Sequence, residues 1–120
     1  MRILKVLARA YAAPEQFEAV IAFYEQLFDE RCQFRLPLPA LGLEIVAVGS
    51  VHLLAGSEEK LIPFRAAQST FFVDSVANAE QDLKRLGVLP VLGPERGPGG
   101  SFLIARHPDG LVVEYIDQAS

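Results

Sequence analysis

The sequence predicts an α+β fold made of two βαβββ modules, residues 1–57 and 66–120, paired to enclose a space between curved sheets. Three observations carry this. The order strand, helix, strand, strand, strand occurs twice, at about sixty residues per pass. Each pass contains a hairpin with a glycine in its turn, Gly49-Ser50 in the first and Pro108-Asp109-Gly110 in the second. The last strand, Leu111–Asp117, is apolar except for one carboxylate in its middle, Glu114. A lone acid there is costly unless it is paired, hydrogen-bonded or metal-bound, so that strand is expected to wall a cavity. An unrelated α+β sandwich with the same element count is the other arrangement open to these residues.

Residues 2–11 alternate as a strand, with Leu4, Val6 and Ala8 on one face, where Leu4 and Val6 suit packing under a helix, and Lys5, Leu7, Arg9 and Tyr11 on the other. Pro14 opens a helix at a position where its missing N–H is harmless. The apolar stripe of that helix is Phe17, Val20, Ile21, Tyr24, Leu27 and Phe28. A short strand at Cys32–Leu36 is ended by Pro37 and Pro39. Strands Leu43–Val48 and Val51–Ala55 form the first hairpin, and Gly56–Arg65 is a polar connector with one helical turn at Leu61–Phe64.

The second pass begins with a strand at Gln68–Val73. Asp74 or Ser75 caps a helix whose stripe is Val76, Ala79, Leu83 and Leu86, and Gly87 stops it. A strand at Leu89–Leu92 leads into a loop, Gly93–Gly100, that lacks the lysine and helix start of a phosphate-binding loop. Ser101–Arg106 and Leu111–Asp117 form the final hairpin, with His107 expected at the surface of its turn.

Composition narrows the function classes. The chain has 120 residues and a formal charge of −4, with its basic residues scattered singly or in pairs, so it has no electrostatic footprint for nucleic acid. No apolar run reaches membrane-spanning length, and the N-terminus does not read as a secretory signal. One cysteine, Cys32, rules out an internal disulfide and fits a cytoplasmic location; no histidine is placed with it for thiol catalysis.

Three segments in this order resemble the vicinal oxygen chelate superfamily, the glyoxalase/bleomycin-resistance/dioxygenase proteins. They are Ile21-Ala22-Phe23-Tyr24-Glu25-Gln26-Leu27-Phe28, Thr70-Phe71-Phe72-Val73-Asp74-Ser75-Val76 and His107-Pro108-Asp109-Gly110-Leu111-Val112-Val113-Glu114. The resemblance covers nearly the whole chain. It implies a U-shaped mixed sheet around a cleft with the helices outside, and a homodimer. Metal-dependent members hold a divalent ion through strands one, four, five and eight. On this chain those positions fall on Leu7 or Arg9, on Leu53 or (shifted by one residue) His52, on Gln68, and on Glu114. Leucine and arginine are not ligands, so the expectation is no metal and no cofactor; a residual site would consist of His52, Gln68 and Glu114.

The expected ligand-binding residues are Leu7, Arg9, Tyr11, Leu53, Gln68, Thr70, Phe72, Val112 and Glu114. Apolar and aromatic walls with a few polar anchors are the make-up of a small-molecule pocket. The first functional reading is a metal-free binder of an amphipathic or aromatic, antibiotic-like small molecule. The alternative is an enzyme of the superfamily, a lyase, isomerase or dioxygenase, with Glu114 as general base or weak metal ligand.

Overall fold

The computed structural model describes residues 1–97 and 99–118. Pro98, inside the expected Gly93–Gly100 loop, and Ala119 and Ser120 lie outside the described residues. The protein is α+β, with eight strands and three α-helices among the described residues. Its contacts divide into two compact units: Ala8–Ala66, called the first unit here, and Met1–Leu7 with Ala67–Ser120, called the second. Strand β1, Ile3–Ala12, contributes to both. No helix among the described residues is long and apolar enough to cross a membrane.

In the first unit the strands are ordered β2 (Phe34–Leu38), β3 (Leu43–Val48), β4 (Val51–Gly56), β1. The β2–β3 and β3–β4 pairs are antiparallel, and β1 runs parallel to β4, from Ala8 opposite Val51 to Ala12 opposite Ala55. Helix α1, Phe17–Phe28, follows a 3₁₀ turn begun by Pro14. It buries Phe17 and Ile21 against Val46, Val48, Leu53 and Ala55. The far face of these strands carries a second cluster, Leu38, Leu43, Leu54 and Leu61, with Tyr11, Leu36, Ile45 and Phe64 against it. Gly49 turns the β3–β4 hairpin with φ +55°, and its α-carbon is packed so closely on the Phe28 ring that a Cβ would lie 2.4 Å from it. Hairpin and helix end therefore lock together at a residue that has to be glycine.

Two expectations shift in this unit. Strand β2 continues through Pro37, which is tolerated because β2 is the outer strand. Helix α2 spans Glu58–Leu61 rather than starting at Leu61, because the Ser57 hydroxyl accepts the Lys60 N–H and two glutamates occupy the first turn.

In the second unit the order is β1, β5 (Ser69–Val73), β8 (Val112–Ile116), β7 (Gly100–Arg106), β6 (Pro90–Gly97). Here β5 and β8 are parallel and the other two pairs, β8–β7 and β7–β6, antiparallel. Helix α3, Val76–Arg85, buries Val76, Ala79 and Leu83 against Val73, Leu103, Ala105, Val113 and Tyr115. Ser75 caps it by accepting the Asn78 N–H. Asp117, beyond the end of β8, accepts the N–H groups of Val76 and Ser101, both at 2.8 Å, and so ties the start of α3 to the start of β7. The amino terminus pairs with Asp82 on α3.

Three expectations are corrected here. Leu4 and Val6 are exposed rather than packed under a helix. The ten-residue α3 is about 15 Å long and lies over β6, β7 and β8. Leu86 is 74% exposed, because it is the cap residue of α3, where Gly87 already turns the chain with φ +84°. The stretch expected as a loop after Leu92 is strand as far as Gly97: Glu95 pairs with Phe102, Arg96 with Ser101 and Gly97 with Gly100, after two register shifts.

Candidate functional site

Register gives the polar residues of the first unit their places. Arg9, His52, Ala47 and Phe34 form one row across β1, β4, β3 and β2, and Tyr11, Leu54, Ile45 and Leu36 form the next. Both rows lie on the face away from α1, the face of the Leu38–Leu43–Leu54–Leu61 cluster. Arg9 Nη1 lies 3.2 Å from His52 Nδ1. A guanidinium only donates, so Nδ1 accepts and the ring proton resides on Nε2. His52 is 2% exposed. Burial, and then the adjacent Arg9 charge, hold its pKa down at about 3, so the ring is neutral. Arg9 Nε donates to the Tyr11 hydroxyl at 3.1 Å, and that hydroxyl donates to the Phe64 carbonyl at 2.5 Å. The guanidinium groups of Arg9 and Arg65 stand 5.6 and 5.5 Å from the centre of the Tyr11 ring.

Arg9, Tyr11 and His52 are therefore brought together. Leu53 is not: it packs in the α1 core, and the expectation that it joins them is corrected in favour of His52. All six residues of β4 are buried, so the strand shows no alternation of polarity from which its facing could be read. Arg65 and Phe64 were missed. They sit in a polar connector whose sequence gives no sign that it returns to this face.

In the second unit the rows are Thr70, Glu114, Ile104 and Phe72, Ile116, Phe102, on the face away from α3. Thr70 is fully buried and Glu114 is 6% exposed. Leu7 is buried, and its carbonyl accepts from the Ser69 hydroxyl at 2.8 Å. Val112 is buried and Phe72 half-buried. Gln68 is exposed and acts as a clasp at the start of the β5–β8 pair. Its N–H donates to the Val112 carbonyl at 2.8 Å, and its side-chain oxygen accepts the Val112 N–H at 3.1 Å. His107 is half-buried rather than a surface residue: its Nε2 lies 2.6 Å from the Tyr115 hydroxyl, and Phe71 packs edge-on to both rings. Burial raises the Tyr115 phenol pKa above its ordinary value. These three rings belong to the α3 side of the sheet and support the turn from behind.

The donors do not fit a divalent ion. The His52 nitrogen Nδ1 already receives a permanent cation. The Gln68 oxygen already receives a backbone N–H. Among the described residues no three His, Cys, Asp or Glu side chains come together. What the two faces offer instead is a donor-rich cationic array around Tyr11 in one unit and a buried carboxylate beside a threonine in the other.

No family model matches the chain, and no curated protein matches it in sequence. The crystal structure of an uncharacterized protein from Methanosarcina mazei is 37% identical, over 99% of this chain and 95% of that one, with a TM-score of 0.84. The chain belongs to the family of that protein. Methylmalonyl-CoA epimerase from Mycobacterium tuberculosis superposes with a TM-score of 0.68 at 16% identity, covering 100% of this chain and 92% of the epimerase. A variant of the Streptomyces coelicolor methylmalonyl-CoA epimerase, in complex with 2-nitronate-propionyl-CoA, does so at 0.66 and 17%, covering 100% and 99%. At these identities the likeness to the epimerases is one of fold. The fold of the Methanosarcina mazei family is thus the vicinal oxygen chelate fold.

Proposed function

We propose that the protein binds a small amphipathic or aromatic molecule, without a resident metal, on the face that carries Arg9, Tyr11 and His52. The observation that carries this is the hydrogen-bonded run from His52 through Arg9 and Tyr11 to the Phe64 carbonyl, set among Leu54, Ile45 and Leu36. A few fixed polar groups inside an apolar surround orient a ligand and reject others. The arginine is held by two partners before any ligand arrives, so little side-chain freedom is lost on binding. A thermal-shift screen tests the reading, since a ligand at a hundred times its Kd stabilises the folded state by about 2.7 kcal/mol. A hit is expected to lose at least tenfold in affinity in Arg9→Met. Unchanged affinity in both Arg9→Met and Tyr11→Phe overturns the reading.

A second reading is favoured by one observation, the buried Glu114 beside Thr70 in a fold shared with epimerases. Here Glu114 is the general base that removes a proton from a carbon acid. Methylmalonyl-CoA, found in one epimerase complex, is the first substrate to try. Deuterium exchange at its acidic carbon is expected to fall by about 10²–10⁴-fold in Glu114→Gln. Absence of exchange in the unmodified protein removes methylmalonyl-CoA as a substrate.

A further inference from the structure

We infer that the molecule bound on the Arg9 face is an anion whose carboxylate or phosphate group is received by Arg65, an inference that rests on the binding reading above. Arg65 follows α2, and its position is fixed from its backbone: the N–H groups of Phe64 and Arg65 both donate to the Leu61 carbonyl at 2.9 Å. Leu61 is buried, and Phe64 packs against the Leu38–Leu43–Leu54–Leu61 cluster. The side chain itself is exposed and is drawn over the Tyr11 ring, 5.5 Å from its centre.

Two other arginines of the chain are bound by carboxylates. Arg35 is bound by two carboxylates, Glu18 and Glu44. Arg85 is bound by Asp82. Arg65 makes no ion pair among the described residues. A ring face attracts a cation through its quadrupole but cancels none of its charge, so the contact with Tyr11 does not replace a carboxylate partner for Arg65. Arg9 stands at the same ring, 5.6 Å from its centre. A planar fork of donors suits a carboxylate or a phosphate, and the neighbouring Leu54 and Phe64 suit an apolar remainder.

Three probes of equal chain length separate the possibilities: octanoate, octyl phosphate and octanamide, measured by calorimetry at low salt. At least one anion is expected to bind tenfold or more tightly than octanamide, and the tighter of the two identifies the headgroup. Added salt is expected to shrink that preference. Arg65→Gln is expected to bring anion affinity to the octanamide level, with a far smaller change in octanamide binding and no change in the unliganded melting temperature. Arg65→Lys is expected to retain part of the preference. Equal binding of all three probes, or a preference that survives Arg65→Gln, overturns the inference and leaves the binding reading standing. No binding by any of the three overturns the inference as well. If the small-molecule screen is also blank, the binding reading falls with it.

Discussion

The row Arg9–His52–Ala47 in the first unit and the row Thr70–Glu114–Ile104 in the second are built alike. Each crosses a parallel strand pair and then an antiparallel neighbour, and each lies on the face away from its helix. Each sets one titratable side chain on the last strand of its hairpin. The side chains have opposite chemistry, and so do their neighbours. The histidine is kept neutral beside an arginine, whereas the carboxylate sits beside a threonine. One frame thus accepts either polarity at the same register, and the neighbouring strand decides what the group does. Beside Arg9 the histidine is an acceptor that positions a cation, and its coordinating nitrogen is spent on that task.

Acid exposes the difference most strongly. The folded pKa of His52, about 3, lies below its ordinary value of 6.5. As the pH falls the unfolded chain takes up the proton first. The stability from this group is therefore complete above pH 6.5 and is lost as the pH falls toward 3, about 4–5 kcal/mol in all. In His52→Gln the amide oxygen still accepts from Arg9 but does not titrate. Denaturant melts between pH 7 and 4 are expected to show a shallower loss of stability in this variant. Parallel profiles refute the account.

The two hairpin turns give the next effect. Gly49 and Gly110 both have positive φ, +55° and +96°, but only Gly49 is packed against a side chain, the Phe28 ring. Gly49→Ala is expected to cost about 2–4 kcal/mol, from backbone strain plus overpacking. Gly110→Ala carries strain alone and is expected to cost about 1–2 kcal/mol. Equal losses in urea unfolding show that Phe28 simply moves aside.

The smallest effect concerns how the two helices begin. Helix α1 has no side-chain cap, while α3 has Ser75 and the more distant Asp117. Asp117→Ala removes both acceptor oxygens, and about 1–2 kcal/mol of destabilisation is expected. Hydrogen exchange is expected to quicken at Val76 and Ser101 together. Faster exchange at only one of them shows that the residue does not link α3 to β7.

Much of the fold was legible because it rests on local periods. Strands β1, β3, β5, β7 and β8 alternate or run apolar between turn residues, and α1 and α3 place their buried residues at helical spacing. Strand β6 was only half legible. Gly93-Pro94-Glu95-Arg96-Gly97 holds no strong strand former, and its pairing comes from β7 through two register shifts. Which candidate residues share a face was legible where a strand has one polar face, as for Arg9 with Tyr11 and Thr70 with Glu114. It was illegible at His52 and Leu53, where both faces are buried. Arg65 at Tyr11, Asp117 at Val76 and His107 at Tyr115 depend on how distant segments return, and no local pattern records that.

The tyrosines give these positions a use in spectroscopy. The chain contains no tryptophan and three tyrosines. Tyr115 lies beneath α3 with its hydroxyl at His107, and Tyr24 is partly buried between Phe23 and Phe28. Among the described residues Tyr11 is the tyrosine with guanidinium groups about its ring, on the face away from α1. Near-ultraviolet absorption and emission therefore arise from three phenols in three surroundings, free of the tryptophan signal that usually swamps them. Difference spectra of Tyr11→Phe against the unmodified chain isolate the ring beside Arg9 and Arg65, the place of the proposed ligand. The protein carries an optical reporter at Arg9 and Arg65, with two internal standards set away from it.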